Sequence, residues 1–75
     1  MLEVNLDAPD LTLELSIAKS CAGYGRVVSV KVHRKPSPFA LIEMAQREES
    51  YEVATQFGGS GFGNSALVHL VQKPT

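Results

Sequence analysis

The sequence predicts a single α+β domain whose elements follow the order strand, helix, strand, strand, helix, strand. Three observations support this prediction. Short runs of alternating apolar and polar residues have the period of half-buried strands. Two longer stretches carry apolar residues every three or four positions, as helices do. Clusters of glycine and proline separate these runs. Because 75 residues leave room for only one hydrophobic core, residues 1–75 are predicted to form one domain.

The first strand and the first helix are predicted in residues 2–22. Residues 2–7 read LEVNLD and alternate strictly between apolar and polar side chains. A break at a proline follows, and Asp10 is expected to be the N-cap of the helix. The helix is predicted to run from Leu11 to about Ala22 and to end at the glycines that follow. Its apolar stripe is predicted to comprise Leu11, Leu13, Leu15, Ile17, Ala18 and Cys21.

The rest of the chain is predicted to form three strands and a second helix. Apolar and polar residues alternate over residues 28–33 and again over residues 39–44. Residues 48–57 have a helical pattern, the glycine-rich residues 58–64 are predicted to be a flexible turn, and residues 66–71 are predicted to form the last strand. The strand side chains expected in the core are Val28, Val30, Val32, Ala40, Ile42 and Met44.

This order of elements predicts a ferredoxin-like βαββαβ sandwich. Its four strands are expected to form an antiparallel sheet in the order four, one, three, two, with both helices on one face. The other face of the sheet is then left open to solvent or to a partner.

The charges are distributed unevenly along the chain, although the net charge is only −1. No acidic residue occurs between Leu15 and Ile42. The basic residues of that interval are Lys19, Arg26, Lys31, Arg34 and Lys35. Such a separation predicts a basic edge suited to a polyanion, or else an ordinary solvated surface with uneven charge.

Composition predicts a soluble globular protein with a cytoplasmic or nuclear location. Hydrophobic residues make up 44% of the chain and charged residues 20%, as in ordinary folded domains. No apolar stretch approaches the roughly 18 residues of a membrane span, and the N-terminus lacks the pattern of a secretory signal. The single cysteine, Cys21, lies in an apolar helical stretch and is expected to be a core residue rather than a nucleophile.

Several segments together resemble the RNA recognition motif family. Residues 37–44, SPFALIEM, align without gaps to the eight-residue signature of that family. Residues 2–7 are similar to its shorter signature, including the asparagine at Asn5. The end of the first helix, the end of the second helix and the last strand match the family at Ile17, Cys21, Tyr24, Gly25, Val27, Phe57, Gly58, Gly59 and residues 66–70.

The resemblance implies that the open sheet face binds single-stranded RNA, because members of this family stack bases on aromatic side chains of two strands. Phe39 keeps one of these aromatic positions, whereas Leu41 and Glu3 occupy the other two. Losing two stacking positions at about 1–3 kcal/mol each predicts weak or atypical binding. The candidate nucleic-acid-binding residues are Phe39, Leu41, Lys31, His33, Asn5, Arg34, Lys35 and His69.

Two other hypotheses belong to different functional classes. The first is a protein-interaction or self-association module that uses Phe39, Leu41, Leu67 and Val71 on the same face. The second is a small-molecule regulatory domain of the ACT type, which shares the order of elements and has a related turn after its first strand, here residues 7–10.

Catalysis, metal binding and cofactor binding are not predicted. The glycine-rich residues 58–63 follow a helix and lead into a strand, whereas nucleotide-binding loops have the opposite context. The two histidines lack a third metal ligand at a useful spacing. No serine, histidine and acid combination has the spacing of a nucleophilic site. The chain is therefore expected to be a binding module and not an enzyme.

Overall fold

The computed structural model describes residues 1–74, which fold into five strands and two α-helices. The strands are β1 (Leu2–Val4), β2 (Val27–His33), β3 (Phe39–Met44), β4 (Ser60–Phe62) and β5 (Ser65–Gln72). The helices are α1 (Asp10–Cys21), which continues into a 3-10 turn at Ala22–Tyr24, and α2 (Arg47–Phe57). The protein is thus a mixed α+β fold with one sheet, as the sequence predicts at this level.

The strands lie in the order β1, β5, β3, β2, and the short strand β4 pairs with β5. One edge of β5 contacts β3 along residues 65–69. Its other edge pairs first with β4, through residues 65–67, and then with β1, through residues 70–72. The pairing of β1 with β5 is parallel, and the other pairings are antiparallel.

The predicted four-stranded antiparallel sheet, with the first strand in the middle, is wrong, and the ferredoxin-like arrangement is not confirmed. The difference originates in residues 60–65, because the segment predicted to be a flexible turn forms β4 and a tight turn into β5. Strand β4 runs in the direction expected of the last strand, and the turn reverses the chain. Strand β5 therefore runs parallel to β1 and takes the central position beside β3. The three-residue β1 lies at an edge, where short strands are common.

Two glycines make the β4–β5 turn possible. Gly63 has a φ of 58° and is the first of the two residues between the strands, where a type II′ hairpin turn requires positive φ. Gly61 lies beneath the ring of Tyr51 on α2, and a Cβ at this position would lie 2.2 Å from that ring. The buried hydroxyl of Ser50 donates a hydrogen bond of 2.8 Å to the carbonyl of Gly63, so α2 also holds the turn.

Both helices pack on one face of the sheet, around a single core. The buried apolar side chains are Leu2, Val4, Leu13, Ile17, Cys21, Ala40, Ile42, Met44, Val53, Ala54, Ala66, Val68 and Leu70. They include alternate residues of β1, β3 and β5, which therefore present one side to the helices. Tyr24 closes one end of the core with its ring edge-to-face against Phe57, at 5.9 Å between ring centroids.

The core confirms most of the predicted buried residues and corrects four. On α1 the buried stripe is Leu13, Ile17 and Cys21, whereas Leu11 and Leu15 are exposed and the half-buried Ala18 lies outside the core cluster. The predicted stripe therefore combined two faces of the helix, since residues two positions apart lie on nearly opposite sides. Val28 is also exposed, because the register of β2 shifts between Val27 and Ser29 and Val27 takes the inward position.

The helix termini differ in their capping. Asp10, expected as the N-cap of α1, is its first helical residue, and Pro9 occupies the cap without a side-chain hydrogen bond. Helix α2 has a capping box in which Gln46 and Glu49 each bond the other's backbone. No helix within residues 1–74 is long and apolar enough to cross a membrane.

Burial raises the pKa of the Cys21 thiol from 9.0 to about 11, because the surrounding core disfavours the thiolate. A thiol with a raised pKa is a poor nucleophile at neutral pH. This agrees with the expectation that Cys21 is a core residue.

Candidate nucleic-acid interface

The face of the sheet opposite the helices carries side chains in cross-strand rows. The row nearest the β2–β3 connection consists of His33, Phe39 and His69, on three neighbouring strands. We call these three residues the aromatic row. The rings of His33 and Phe39 are stacked, with 4.8 Å between centroids and an angle of 12° between planes. Both histidines are exposed and Phe39 is half-buried.

The register of the strands creates the aromatic row. Phe39 lies opposite His33 on β2 and opposite His69 on β5, with no offset on either side. Directly opposed side chains in an antiparallel sheet lie close enough to interact, which explains the stacking of His33 on Phe39. Phe39 lies between His33 and His69, and the exposed His33 is the outer ring of the stacked pair. Another flat, aromatic group can therefore extend the pair from the side of His33.

The next row along the strands consists of Lys31, Leu41 and Leu67, and we call it the leucine row. Lys31 is exposed, and the two leucines are half-buried in the middle of the face. The row beyond it contains Glu43, whose carboxylate accepts a hydrogen bond of 3.2 Å from the Ser29 hydroxyl. The face therefore changes from aromatic and basic at one end to acidic at the other.

Glu3 lies farther from Phe39 than the predicted sheet order implies. That order places β1 beside β3, whereas in the structure β5 separates the two strands. Glu3 is exposed on the edge strand opposite Val71. The acidic group expected next to Phe39 is thus displaced to the border of the face.

Three predicted site residues lie outside these rows. The guanidinium of Arg34 donates hydrogen bonds of 2.7 Å to the Leu6 carbonyl, 2.8 Å to the Ala8 carbonyl and 2.8 Å to the Asp10 carboxylate. It therefore holds the β1–α1 loop on the helix side of the sheet. Lys35 is exposed in the β2–β3 connection, beside the aromatic row.

Asn5 follows the edge strand β1 and has a local role. Its side-chain oxygen accepts a hydrogen bond of 3.1 Å from the backbone N–H of Asp7, which stabilises the turn after β1. Roles of Asn5 and Lys35 in nucleic-acid binding stay predictions, whereas the predicted role of Arg34 competes with the bonds that its guanidinium makes to the β1–α1 loop.

Phe62 is an exposed aromatic residue that the sequence interpretation did not include. It lies on β4 opposite Ser65, and alternation along β5 places it on the open face. Its side chain is 60% exposed. The signal for this position was the Gly63-Asn64 pair between two short runs, which is typical of a two-residue hairpin turn.

The open face carries aromatic, aliphatic and basic side chains. Within residues 1–74 no group of three or more potential metal-ligating side chains comes together. The rows offer flat rings, aliphatic side chains and amino or imidazole groups, which suit stacking and charge attraction. Comparisons with protein-family models, with curated protein sequences and with solved structures gave no match.

Proposed function

We propose that this protein binds single-stranded nucleic acid, preferably RNA, through the open face of its sheet. The aromatic row is the observation that carries the proposal. Three ring-bearing side chains lie in register across three strands, and two of them are already stacked. Because bases stack on such side chains with little regard to sequence, the row suits a weak binder of broad specificity.

The positive charges of the open face lie at the end that carries the aromatic row, which supports this end as the contact region. Lys31 lies in the neighbouring row and Lys35 in the adjacent connection, and both are exposed. Glu43 lies two rows from Phe39, and its carboxylate already accepts a bond from Ser29. A nucleic acid strand placed over the aromatic row would therefore keep its phosphates near the amino groups and away from the acidic end.

The proposal rests on this surface rather than on the resemblance to the RNA recognition motif family. That resemblance stays a prediction, and the sheet order differs from the one it implies. Phe39 and Leu41 occupy alternate positions of β3 on the open face. The preference for RNA over DNA is the part of the proposal that depends on the resemblance.

An NMR titration with an eight-nucleotide RNA of mixed sequence tests the proposal. We expect the amide signals of Lys31, His33 and Phe39 to shift. The logarithm of the affinity should fall with the logarithm of salt concentration, by about 0.7 for each phosphate contacted. Movement confined to helical residues, or no movement at millimolar RNA, would contradict the proposal.

A pair of substitutions at Phe39 separates stacking from hydrophobic contact. Phe39→Leu keeps an apolar side chain but removes the ring, and Phe39→Ala removes both. Because a stacked base contributes about 1–3 kcal/mol, each variant should weaken RNA binding by about 5- to 150-fold. Full affinity in Phe39→Leu would show that the ring does not stack on a base.

The second candidate function is protein binding by the apolar part of the same face. Leu41 and Leu67 are half-buried neighbours in the leucine row, and Phe62 is exposed on the adjacent β4. Val71, also half-buried, lies beyond His69 on β5. Exposed apolar surface of this kind often marks a contact site. Substitutions and salt distinguish the two candidates. Affinity for a protein partner should fall when Leu67 is replaced and should change little with salt concentration. Affinity for RNA should fall when Phe39 is replaced and should decrease strongly as salt rises.

A further inference from the structure

Helix α1 carries a second apolar stripe that the core does not use. Its buried stripe contacts the sheet, whereas Leu11 and Leu15 are 67% and 64% exposed on the other side. Ala18 and Ala22 continue this outer stripe at helical spacing, one and two turns farther along. A helix that packs on a single side needs a single apolar stripe, so this fold does not use the outer stripe.

The outer stripe borders a groove beside an unpaired sheet edge. Strand β2 pairs with β3 on one side, and none of residues 1–74 pairs with its other side. The groove between α1 and the start of β2 has a volume of about 730 Å³. Its walls include Leu15, Ala18, Lys19, Ala22, Arg26 and Val27.

The charges of this region select the kind of occupant. Lys19 and Arg26 are exposed in the groove, and none of the residues that line it is acidic. The whole interval between Leu15 and Ile42 contains no acidic residue. The ligand complementary to this groove therefore combines apolar side chains with negative charges.

A second copy of the chain is a poor occupant of the β2 edge. Antiparallel pairing of two β2 strands about Val30 would place Lys31 of each copy opposite Ser29 of the other. The two Lys31 side chains would then be diagonal neighbours on one face of the ladder. Like charges that lie within reach of each other on one face destabilise an antiparallel pair. Self-pairing is thus opposed by charge, and an acidic partner is favoured by it.

We propose that the groove between α1 and β2 binds an extended acidic segment of a partner protein, which adds a strand to the free edge of β2. The backbone of the segment pairs with β2, in the way that other domains bind peptides at a sheet edge. Alternate apolar side chains of the segment contact Leu15, Ala18 and Val27. Because successive side chains of a strand point to opposite faces, the acidic side chains between them lie on the opposite face of the added strand, and acidic residues that flank the paired segment lie near Lys19 and Arg26 in the groove.

Selection from a display library of random twelve-residue peptides tests this proposal on the intact protein. The enriched peptides should alternate apolar and acidic residues, and synthetic copies should shift the amide signals of Lys19 and of residues 26–30. The double variant Lys19→Glu/Arg26→Glu should bind these peptides at least tenfold more weakly. A selection without enriched peptides, or one that enriches basic or helical peptides, would overturn the proposal.

Leu15 and Leu11 provide a matched pair of variants, because both are exposed on the outer stripe but only Leu15 lines the groove. Leu15→Ser should weaken peptide binding by about 10- to 150-fold, as expected for a leucine that becomes buried on binding. Leu11→Ser should change it by less than twofold. Equal effects of the two variants would mean that the peptide does not occupy the groove.

Two further measurements test the mode of binding and the choice of partner. Two versions of a peptide can carry N-methyl groups, one on the odd-numbered and one on the even-numbered backbone nitrogens. One version should lose binding, because its methyl groups replace the N–H donors of the ladder. Retention of binding by both versions would exclude strand addition. Sedimentation should find a monomer, and a dimer that dissociates in Leu15→Ser would replace the acidic partner with a second copy.

This site is independent of the proposed RNA surface. Phe39→Leu should leave peptide binding unchanged, and Leu15→Ser should leave RNA binding unchanged. Failure of one proposal therefore does not affect the other.

Discussion

The two faces of the sheet differ in how completely this fold uses them. On the helix side of β3, Ala40, Ile42 and Met44 have no exposed surface. On the opposite side, Phe39 and Leu41 keep part of their surface in solvent and lie opposite residues of β2 and β5. Residues one position apart thus have different surroundings. The helix side forms the buried core, and the open side presents partly exposed apolar and aromatic surface.

The largest effect that separates the faces is expected from neighbouring substitutions on β3. Ile42→Ala should lower the free energy of unfolding by about 2–5 kcal/mol, because it leaves a cavity in the core. Leu41→Ala should lower it by about 1 kcal/mol or less, since water already reaches that side chain. Urea denaturation followed by circular dichroism measures both values.

Ile42→Val keeps the comparison measurable if Ile42→Ala is unfolded, and it should cost about 0.5–1.5 kcal/mol. A loss for Leu41→Ala equal to that for Ile42→Ala would contradict the division into two faces. It would mean that Leu41 is part of the core and that the open face is itself structural.

A second effect is expected at alkaline pH, where ionisation of Cys21 in the core on the helix side should lower stability. The pKa of Cys21 is raised in the folded protein from 9.0 to about 11, so the unfolded chain loses its thiol proton at lower pH. The thiol contribution to stability is fully present below pH 9 and is lost as the pH rises through 11. With about 1.36 kcal/mol for each pH unit, the loss approaches 2–3 kcal/mol.

Cys21→Ala is the control for the alkaline loss, since it removes the thiol but keeps the other groups that titrate in this range. The difference in stability between the wild type and Cys21→Ala should be constant up to pH 9 and should shrink between pH 9 and 11. A constant difference over the whole range would show that the thiolate is accommodated in the folded core.

The elements β2, β3, β5 and α2 could be predicted because each segment has the period or the run of apolar residues of its type and is bounded by breaker residues. Helix α1 could not be oriented in the same way. Leu11 and Leu15 have the same spacing as Leu13 and Ile17, and periodicity alone does not decide which pair faces the core. The choice depends on contacts with the sheet, which are distant in sequence.

The sheet order was missed for a different reason. It depends on the turn at Gly63, which reverses the last strand and places it between β1 and β3. Interpreting the glycine-rich segment as a flexible turn removed one strand and inverted the direction of the next. The same interpretation concealed Phe62, whose position on the open face depends on that short strand.

The residues that share the open face could be grouped from the sequence, although the order of the strands could not. Alternation along each strand places Lys31, His33, Phe39 and Leu41 on one face in any order of strands, because β2 and β3 form a simple hairpin. His69 joins them through the pairing of β5 with β3. The position of Arg34 could not be predicted, since its hydrogen bonds depend on how the β1–α1 loop folds back on β2.

The smallest expected effect comes from His33 and Arg34, neighbours on the chain that serve opposite sides of the sheet. Arg34 holds the β1–α1 loop through two backbone carbonyls and Asp10, so Arg34→Gln should lower stability by about 1 kcal/mol, as for a partly exposed set of hydrogen bonds. His33 touches the ring of Phe39 on the open face, and His33→Ala should change stability by about 0.5 kcal/mol or less.

RNA binding should show the reverse pattern, with a several-fold loss in His33→Ala and little change in Arg34→Gln. Thermal unfolding measures the stability of both variants, and the RNA titration measures their affinity for RNA. If Arg34→Gln weakened RNA binding while leaving stability intact, its guanidinium would have to leave the loop to contact phosphate, and the open face would extend around the end of β2.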